Sequence, residues 1–300
     1  MFDIIVIGAG PAGMTAAIYA RRAAKTVLVL EAMSYGGQII NTPEIENYPA
    51  AAHISGFDFA AGVYNQAKEL GAEFRFEKAV EIEDRGEEKR VRTPKNEYAA
   101  KAVIIATGSV NRRLGLEGEE KLIGRGISYC ATCDGAFFRK KTVAVVGGGN
   151  TALEDALYLA DLAEKVYLIH RRDSFRGEES TVTRLREREN VEFVLNSVVR
   201  TLHADKKLSA VEVVNKQGEK RTLAVDGLFV AVGRIPENRN FAKLIALDAA
   251  GYAVAGEDCR TQTEGIFVAG DNRVKEVRQL VTATADGAVA ATEAIKYING

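Results

Sequence analysis

The chain has 300 residues, 47% of them hydrophobic, which is more than one core needs, so two domains are expected. Its 40 basic and 41 acidic residues leave a net charge of −1, which argues against a general binder of nucleic acid or anionic membrane. No apolar run approaches the roughly 20 residues that cross a bilayer, and the start, MFDIIVIGAG, has neither a basic n-region nor a small-residue cleavage site. A cytoplasmic protein is the expectation.

The first predicted strand, FDIIVIG, runs into the turn GAGPAG, Gly8 to Gly13, then a helical pattern to about Ala24, then a second apolar strand, TVLVLE, ending at Glu31. This is the strand–glycine turn–helix–strand–acid unit of a dinucleotide fold. Gly8 permits the tight turn, Gly10 lets the backbone approach a pyrophosphate, and Gly13 lets the helix pack close to the strand. Free N–H groups at the helix start favour an anion there. Glu31 suits the ribose hydroxyls. Next, Glu73 to Tyr98 reads as short strands with a polar turn at EDRGEEKR, and AVIIATG (102–108) as a further strand end.

The glycine- and charge-rich SVNRRLGLEGEEKLIGRG reads as a connector. SYCATCDG follows, with two of the chain's three cysteines, Cys130 and Cys133. Such a pair is half a zinc site, a structural staple or a redox couple. Zinc needs about four ligands, and only Cys259, His53, His170 and His203 remain, none of them forming a second pair at ligand spacing. A permanent disulfide does not suit the cytoplasm. Cys259 has no neighbour of catalytic type and reads as a small core filler.

The nucleotide unit then recurs. Strand Thr142–Val146 meets the turn Gly147-x-Gly149-x-x-Ala152, and Ala152, Ala156 and Ala160 give the helix a narrow face for close packing. Where the first copy ends in Glu31, the strand KVYLIH ends in His170-Arg171-Arg172, with Arg176 nearby. A carboxylate suits a free 2′-hydroxyl, whereas guanidinium groups suit a 2′-phosphate. One site is therefore expected to take a nucleotide with a free ribose and the other NADP(H). GLFVAVGRIPEN (227–238) and GIFVAGDN (265–272) are further strand ends. The strands ending at residues 108 and 233 are expected to close their respective domains. The third has no glycine unit of its own and is expected to return to an existing sheet, with one domain inserted in the other.

In this order, GAGPAG, GGQI, ENYP, ATG, CATCDG, GGGNTALEDA, HRRDSFRG, GLFVAVG and GDNRVKEVRQ make the chain resemble the low-molecular-weight bacterial thioredoxin reductases over essentially its whole length. The resemblance implies an α/β protein of two Rossmann-like three-layer domains. An FAD-binding domain would comprise 1–111 and 241–300, and an inserted NADPH-binding domain 112–240. It also implies a homodimer that passes electrons from NADPH through FAD and the cysteine pair to thioredoxin. The implied FAD residues are Gly8, Gly10, Pro11, Ala12, Gly13, Glu31, Gly37, Gln38, Asn47, Gly108, Gly270, Asp271, Arg278 and Gln279. Those for NADPH are Gly147, Gly149, Asn150, Thr151, Ala152, His170, Arg171, Arg172 and Arg176.

By the same resemblance, Cys133 receives electrons from the flavin, Cys130 attacks the partner disulfide, and Asp134 is the acid/base. Asp134 also fits a helix-capping carboxylate. Gly115, Gly118, Gly124, Gly126 and Gly233 sit in connectors where the resemblance implies rotation between domains. Glu237, where many relatives have Asn, departs from the pattern. Other enzymes on this scaffold fit less well. An NADPH–ferredoxin reductase would lack Cys130 and Cys133, and an alkyl hydroperoxide reductase flavoprotein would carry a long extension before the first glycine turn. A ferredoxin-fed relative would lose the Gly147 turn or the Arg171/Arg172 cluster. A non-catalytic NADP(H)-sensing flavoprotein is the alternative of a different class.

Overall fold

The computed structural model describes residues 1–300 except Pro43, Glu46 and Ala52. In chain order it begins with β1 (Phe2–Ile7), α1 (Pro11–Arg22), β2 (Val27–Leu30), α2 (Gly56–Glu69), β3 (Glu73–Arg75), β4 (Glu81–Arg85), β5 (Glu88–Arg92), β6 (Glu97–Ile105) and β7 (Ser109–Asn111). There follow α3 (Glu119–Leu122), β8 (Ile127–Ser128), α4 (Ala131–Asp134), β9 (Thr142–Gly147), α5 (Asn150–Ala160), β10 (Lys165–Ile169), α6 (Glu179–Arg186) and β11 (Val191–Val194). The rest is β12 (Ser197–Ala204), β13 (Leu208–Asn215), β14 (Lys220–Ala224), β15 (Gly227–Ala231), β16 (Arg234–Pro236), β17 (Ile266–Val268) and α7 (Leu280–Asn299).

The chain divides into two compact units, Met1–Val110 with Ile235–Gly300, and Asn111–Arg234. The chain leaves the first through β7 and returns through β16, and these two strands pair with each other. Residues 235–240 thus fall in the first unit, although the sequence assigns them to the inserted domain. The reason is local: Asn238 is fully buried there, its amide donating to Asn272 O at 2.6 Å and Gly251 O at 3.0 Å. Glu237, the residue that departs from the family pattern, donates its N–H to Gly108 O at 3.4 Å.

In the first unit the sheet runs β3-β2-β1-β6-β5-β4, with β17 also paired to β6. The uninterrupted apolar strands of β1 and β2 are what a parallel sheet covered on both faces requires. Ile4, Val6, Val27 and Val29 join one core with α1 and α7, while Ile5, Ile7, Leu28 and Leu30 join another with Ile82, Val91 and Phe241. The charged EDRGEEKR turn is the tip of the antiparallel β4–β5 hairpin.

In the second unit the sheet runs β11-β10-β9-β15-β8. Val143 and Val145 face α5, and Ala144 and Val146 face the antiparallel sheet β12-β13-β14. The alanine face of α5 is buried: Ala152 and Ala156 are wholly inaccessible and Ala160 nearly so. Both units are Rossmann-like α/β layers. The strand ending in GIFVAG does return to the first sheet, beside β6.

One expectation needs correction. Neither β6 nor β15 closes its sheet: β17 and β5 flank β6, and β8 flanks β15. Each has neighbours on both sides, which fits the burial of residues 102–105 in β6 and 227–230 in β15. The connector glycines at 115, 118, 124, 126 and 233 all have φ between 72° and 114°, a backbone region that costs other residues strain. Among the described residues no helix is long and apolar enough to cross a membrane.

Candidate redox and dinucleotide sites

The first glycine turn lies where β1 feeds α1. Gly8 has φ 108°, and a Cβ on it would stand 2.3 Å from Ala106 O; one on Gly13 would stand 1.9 Å from Gly8 O. Both positions are closed to any side chain. Gly10, by contrast, has nothing within 4 Å of its Cβ position, so the cradle stays open where a pyrophosphate would approach. Pro11 occupies the first position of α1, where its missing N–H costs nothing, and Ala12 and Gly13 are buried beneath it.

Glu31, at the end of β2, accepts the N–H of Ala9 at 2.8 Å and of Met33 at 2.9 Å. Its carboxylate is held against the turn. The short 3-10 helix Gly37–Asn41 packs there as well: Gly36 N–H donates to Ala9 O at 2.7 Å, and a Cβ on Gly37 would meet Gly10 Cα at 3.2 Å. Gln38 lies on this helix, exposed.

Other implied FAD residues converge on the same end of the sheet. Gly270 lies under α1, its Cβ position 2.9 Å from Ala12 Cβ, and Asp271 follows it. The Gly270 N–H donates to Asp286 Oδ2 at 2.9 Å. Asn47 donates to Gln279 Oε1 at 3.2 Å, and Gln279 caps α7 in a reciprocal pair with Thr282. Arg278 stacks on Tyr252, 4.1 Å from the ring centroid. Gly108, φ 66°, ends the β6 loop. An open glycine, a helix start with no acidic side chain in its first turn, and a backed carboxylate fit a dinucleotide with a free ribose.

Asp286, one of only two acidic residues in the otherwise mostly apolar α7, organises this end of the unit. It pairs with Arg273 through two bonds of 2.8 Å and with Lys275 at 2.9 Å. Burial alone would raise its pKa, but the two cations hold it below the usual carboxylate range. Asn272, fully buried, donates to Ile105 O and Asn238 Oδ1. Sequence reasoning missed Asp286, Arg273 and Asn272, although a carboxylate inside an apolar helix was a visible signal.

The second glycine turn repeats the plan. A Cβ on Gly147 would stand 2.4 Å from Ala231 O, while Gly149 has open space. Ala152 is buried and Thr151 exposed on α5. Asn150 accepts the Glu178 N–H at 2.8 Å, and the Arg176 N–H donates to Gly148 O at 2.8 Å. Asn150 therefore pins the loop that carries Arg176.

Arg171, Arg172 and Arg176 are exposed and make no ion pair among the described residues. Three guanidinium groups without internal counter-charge beside an open turn fit a nucleotide bearing an additional phosphate. His170 stands apart from them. It is buried, stacked on Phe175, and lies directly behind Gly148, whose Cβ would meet the ring at 2.1 Å. Burial, then the two adjacent arginines, lower its pKa, so it stays neutral and supports the turn rather than facing its mouth.

Cys130 and Cys133 are joined by a disulfide, with Cα atoms 5.3 Å apart. Both are half-buried in the second unit, on α4 and its cap. Ser128, on β8, fixes the approach: its hydroxyl lies 2.6 Å from Asp134 Oδ2 and accepts the Cys130 N–H at 3.1 Å. Burial pushes the Asp134 carboxyl up, and the Ser128 hydroxyl offsets part of this. The capping role considered for Asp134 is not found; its side chain bonds Ser128 and caps no helix. Glu119 anchors the preceding segment, accepting Tyr129 Oη at 2.7 Å and the N–H groups of Leu114, Gly115 and Leu116. Cys259 is fully buried, its thiol pushed up to about 12 by desolvation first and then by Asp286.

The family profile for pyridine nucleotide-disulphide oxidoreductases matches residues 2–287. Thioredoxin reductase of Listeria innocua is 45% identical over 300 residues, covering 99% of this chain and 94% of that protein. That of Bacillus subtilis is 42% identical, covering 99% and 95%. The crystal structure of thioredoxin reductase from Streptococcus pyogenes superposes with a TM-score of 0.89 at 41% identity, covering 100% of this chain and 98% of that one. Likeness on this scale, spanning both glycine turns and the cysteine pair, places the chain in the thioredoxin reductase family, the FAD- and NADPH-dependent flavoproteins of the pyridine nucleotide–disulphide oxidoreductases.

Proposed function

We propose that Cys130 and Cys133 are the pair through which this enzyme reduces thioredoxin, with FAD held by the first unit and NADPH by the second. The observation that carries the assignment is the Cys130–Cys133 disulfide at the start of α4, in the same unit as the glycine turn tipped by Arg171, Arg172 and Arg176. Gly8 to Gly13, Glu31, Gly37, Gln38, Asn47, Gly108, Gly270, Asp271, Arg278 and Gln279 hold the flavin nucleotide. Gly147 to Ala152 receive the NADPH pyrophosphate, and the three arginines grip its 2′-phosphate. When bound, FAD supplies the two-electron relay between NADPH and the disulfide.

The rest is the chain's own sulfur chemistry. Two electrons and two protons open the Cys130–Cys133 bond to a dithiol. Cys130, as thiolate, attacks one sulfur of the thioredoxin disulfide and expels the other, giving a mixed disulfide. Cys133 then attacks Cys130 Sγ, which releases reduced thioredoxin and restores the intramolecular bond. Asp134, its carboxyl pushed up by burial and bonded to Ser128, exchanges a proton at Cys133 Sγ.

The working form is a cytoplasmic homodimer, as the resemblance implies, and sedimentation of the FAD-loaded protein tests its stoichiometry. Steady-state reduction of thioredoxin with NADPH and with NADH tests the function. NADPH-driven turnover that vanishes in Cys130→Ser and Cys133→Ser is expected; turnover that survives in either overturns the assignment.

A further inference from the structure

Thr132 lies between the two cysteines and has no part in the scheme above. Its hydroxyl stands 3.4 Å from Cys130 Sγ. A disulfide sulfur carries no hydrogen, so in this pair the hydroxyl is the donor and the sulfur the acceptor. One turn of backbone sets the geometry. Cys130 is the N-cap of α4 and Thr132 sits inside it, the turn being closed by the Asp134 N–H on Cys130 O at 3.1 Å. On the other side the Cys130 N–H is fastened to Ser128 Oγ at 3.1 Å. Neither anchor involves the S–S bond, so opening that bond leaves the hydroxyl beside the Cys130 sulfur.

A thiolate is ordinarily stabilised by a nearby cation or by backbone N–H groups. Here the turn's own N–H groups do not bond the sulfur, because the Cys130 side chain caps no helix. The surrounding elements bring no cation either. α4, the 3-10 helix Gly135–Phe138 that follows it, β8 and α5 contain no Lys, Arg or His. Their ionisable groups are Asp134 on α4, bonded to Ser128, and Glu154, Asp155 and Tyr158 on α5, which packs against α4. Tyr129, next to Cys130, is committed to Glu119. Each of these is neutral or negative, and none favours a further negative charge. Among the described residues the Thr132 hydroxyl is therefore the one hydrogen-bond donor on Cys130 Sγ.

We propose that Thr132 is a catalytic residue: its hydroxyl donates to Cys130 Sγ and holds that sulfur as the thiolate that attacks the partner disulfide. Neutral sulfur is a weak acceptor and an ionised one a strong acceptor. The bond therefore strengthens when the pair is reduced and relaxes when Cys130 enters the mixed disulfide.

This inference rests on Cys130 being the attacking thiol. Alkylation of Cys130 by iodoacetamide, read by peptide mass in the FAD-loaded Cys133→Ser protein from about pH 5 to about pH 10, tests it without thioredoxin or NADPH. Failure here therefore leaves the reductase assignment standing, whereas failure of that assignment shows in the turnover of Cys130→Ser. Thr132 is exposed, so Thr132→Val keeps the shape of the side chain, disturbs no core and removes the donor. Its alkylation inflection should rise by about one pH unit, leaving roughly tenfold less thiolate below both inflections. The plateau rate above them should not fall, because the intrinsic reactivity of a thiolate rises with its pKa. Thr132→Ser keeps the hydroxyl and should return the inflection to the parent value. An unchanged inflection in Thr132→Val, or the same displacement in Thr132→Val and Thr132→Ser, overturns the proposal.

Discussion

The two glycine turns place their glycines alike but are backed by opposite charges. Gly8 and Gly147 are each pressed on the carbonyl of the neighbouring strand, Ala106 and Ala231, while Gly10 and Gly149 are open. Behind the first turn stands the Glu31 carboxylate, fastened to the Ala9 and Met33 amides. Behind the second stands a neutral, buried His170, with Arg171, Arg172 and Arg176 on the surface. The first unit also has cations near its site, but Arg273 and Lys275 are neutralised inside by Asp286. A common backbone cradle therefore says only that a nucleotide binds; which one is decided by whether the nearby cations already have a partner.

Removing either sulfur cuts deepest into this division. Cys130→Ser and Cys133→Ser should lower thioredoxin reduction about 10³-fold or more, since a residue acting as nucleophile has no substitute. NADPH oxidation by an artificial acceptor should persist, because both turns are intact; its loss would mean that the cysteines hold the nucleotide sites together.

Neutralising Arg171 and Arg172 tests the second turn. A hydrogen bond to a charged group contributes about 1.5–3 kcal/mol, and exposed arginines take the lower figure. NADPH preference over NADH should fall about 10²-fold, mainly through KM. Unchanged preference would make the cluster a solvated loop and erase the contrast.

Asp286→Asn tests the internal neutralisation of the first unit. It leaves Arg273 and Lys275 buried with no carboxylate, a loss of about 3 kcal/mol in stability at pH 7. The folded pKa of Asp286 is depressed, so its contribution is present above the unfolded value and is lost as pH falls through the folded one. Thermal melting of parent and variant should therefore converge as the buffer is taken to acid. A gap independent of pH would assign the loss to packing.

The smallest effect is expected at Glu31→Gln. The amide keeps one acceptor and turns a donor toward Ala9 or Met33, leaving one N–H unpaired. FAD affinity should weaken about tenfold, in line with a net cost of about 1.5 kcal/mol, with the NADPH site unaltered. Equal weakening of both nucleotides would show that the two turns do not act separately.

Much of this was legible because it is local. The glycine spacing, the apolar strands, the alanine face of α5 and the contrast of Glu31 with Arg171 and Arg172 all lie within single strand–turn–helix–strand stretches, where neighbours in sequence are neighbours in space. The cysteine pair was legible as redox chemistry for the same reason. His170 was placed with its arginine neighbours because strand-end residues are read as a group. Only the packed structure turns its ring behind Gly148, since successive side chains on an extended backbone point to opposite sides.

The contacts that support the sites belong to tertiary structure. Asn238 and Asn272 are 34 positions apart, each with an amide that must find acceptors once buried. Asp286 meets Arg273 and Lys275 across a helix boundary. Spacing in the chain encodes none of these. What a buried polar group pairs with depends on which elements the cores bring together, because the cost of leaving it unpaired is incurred only when water is excluded.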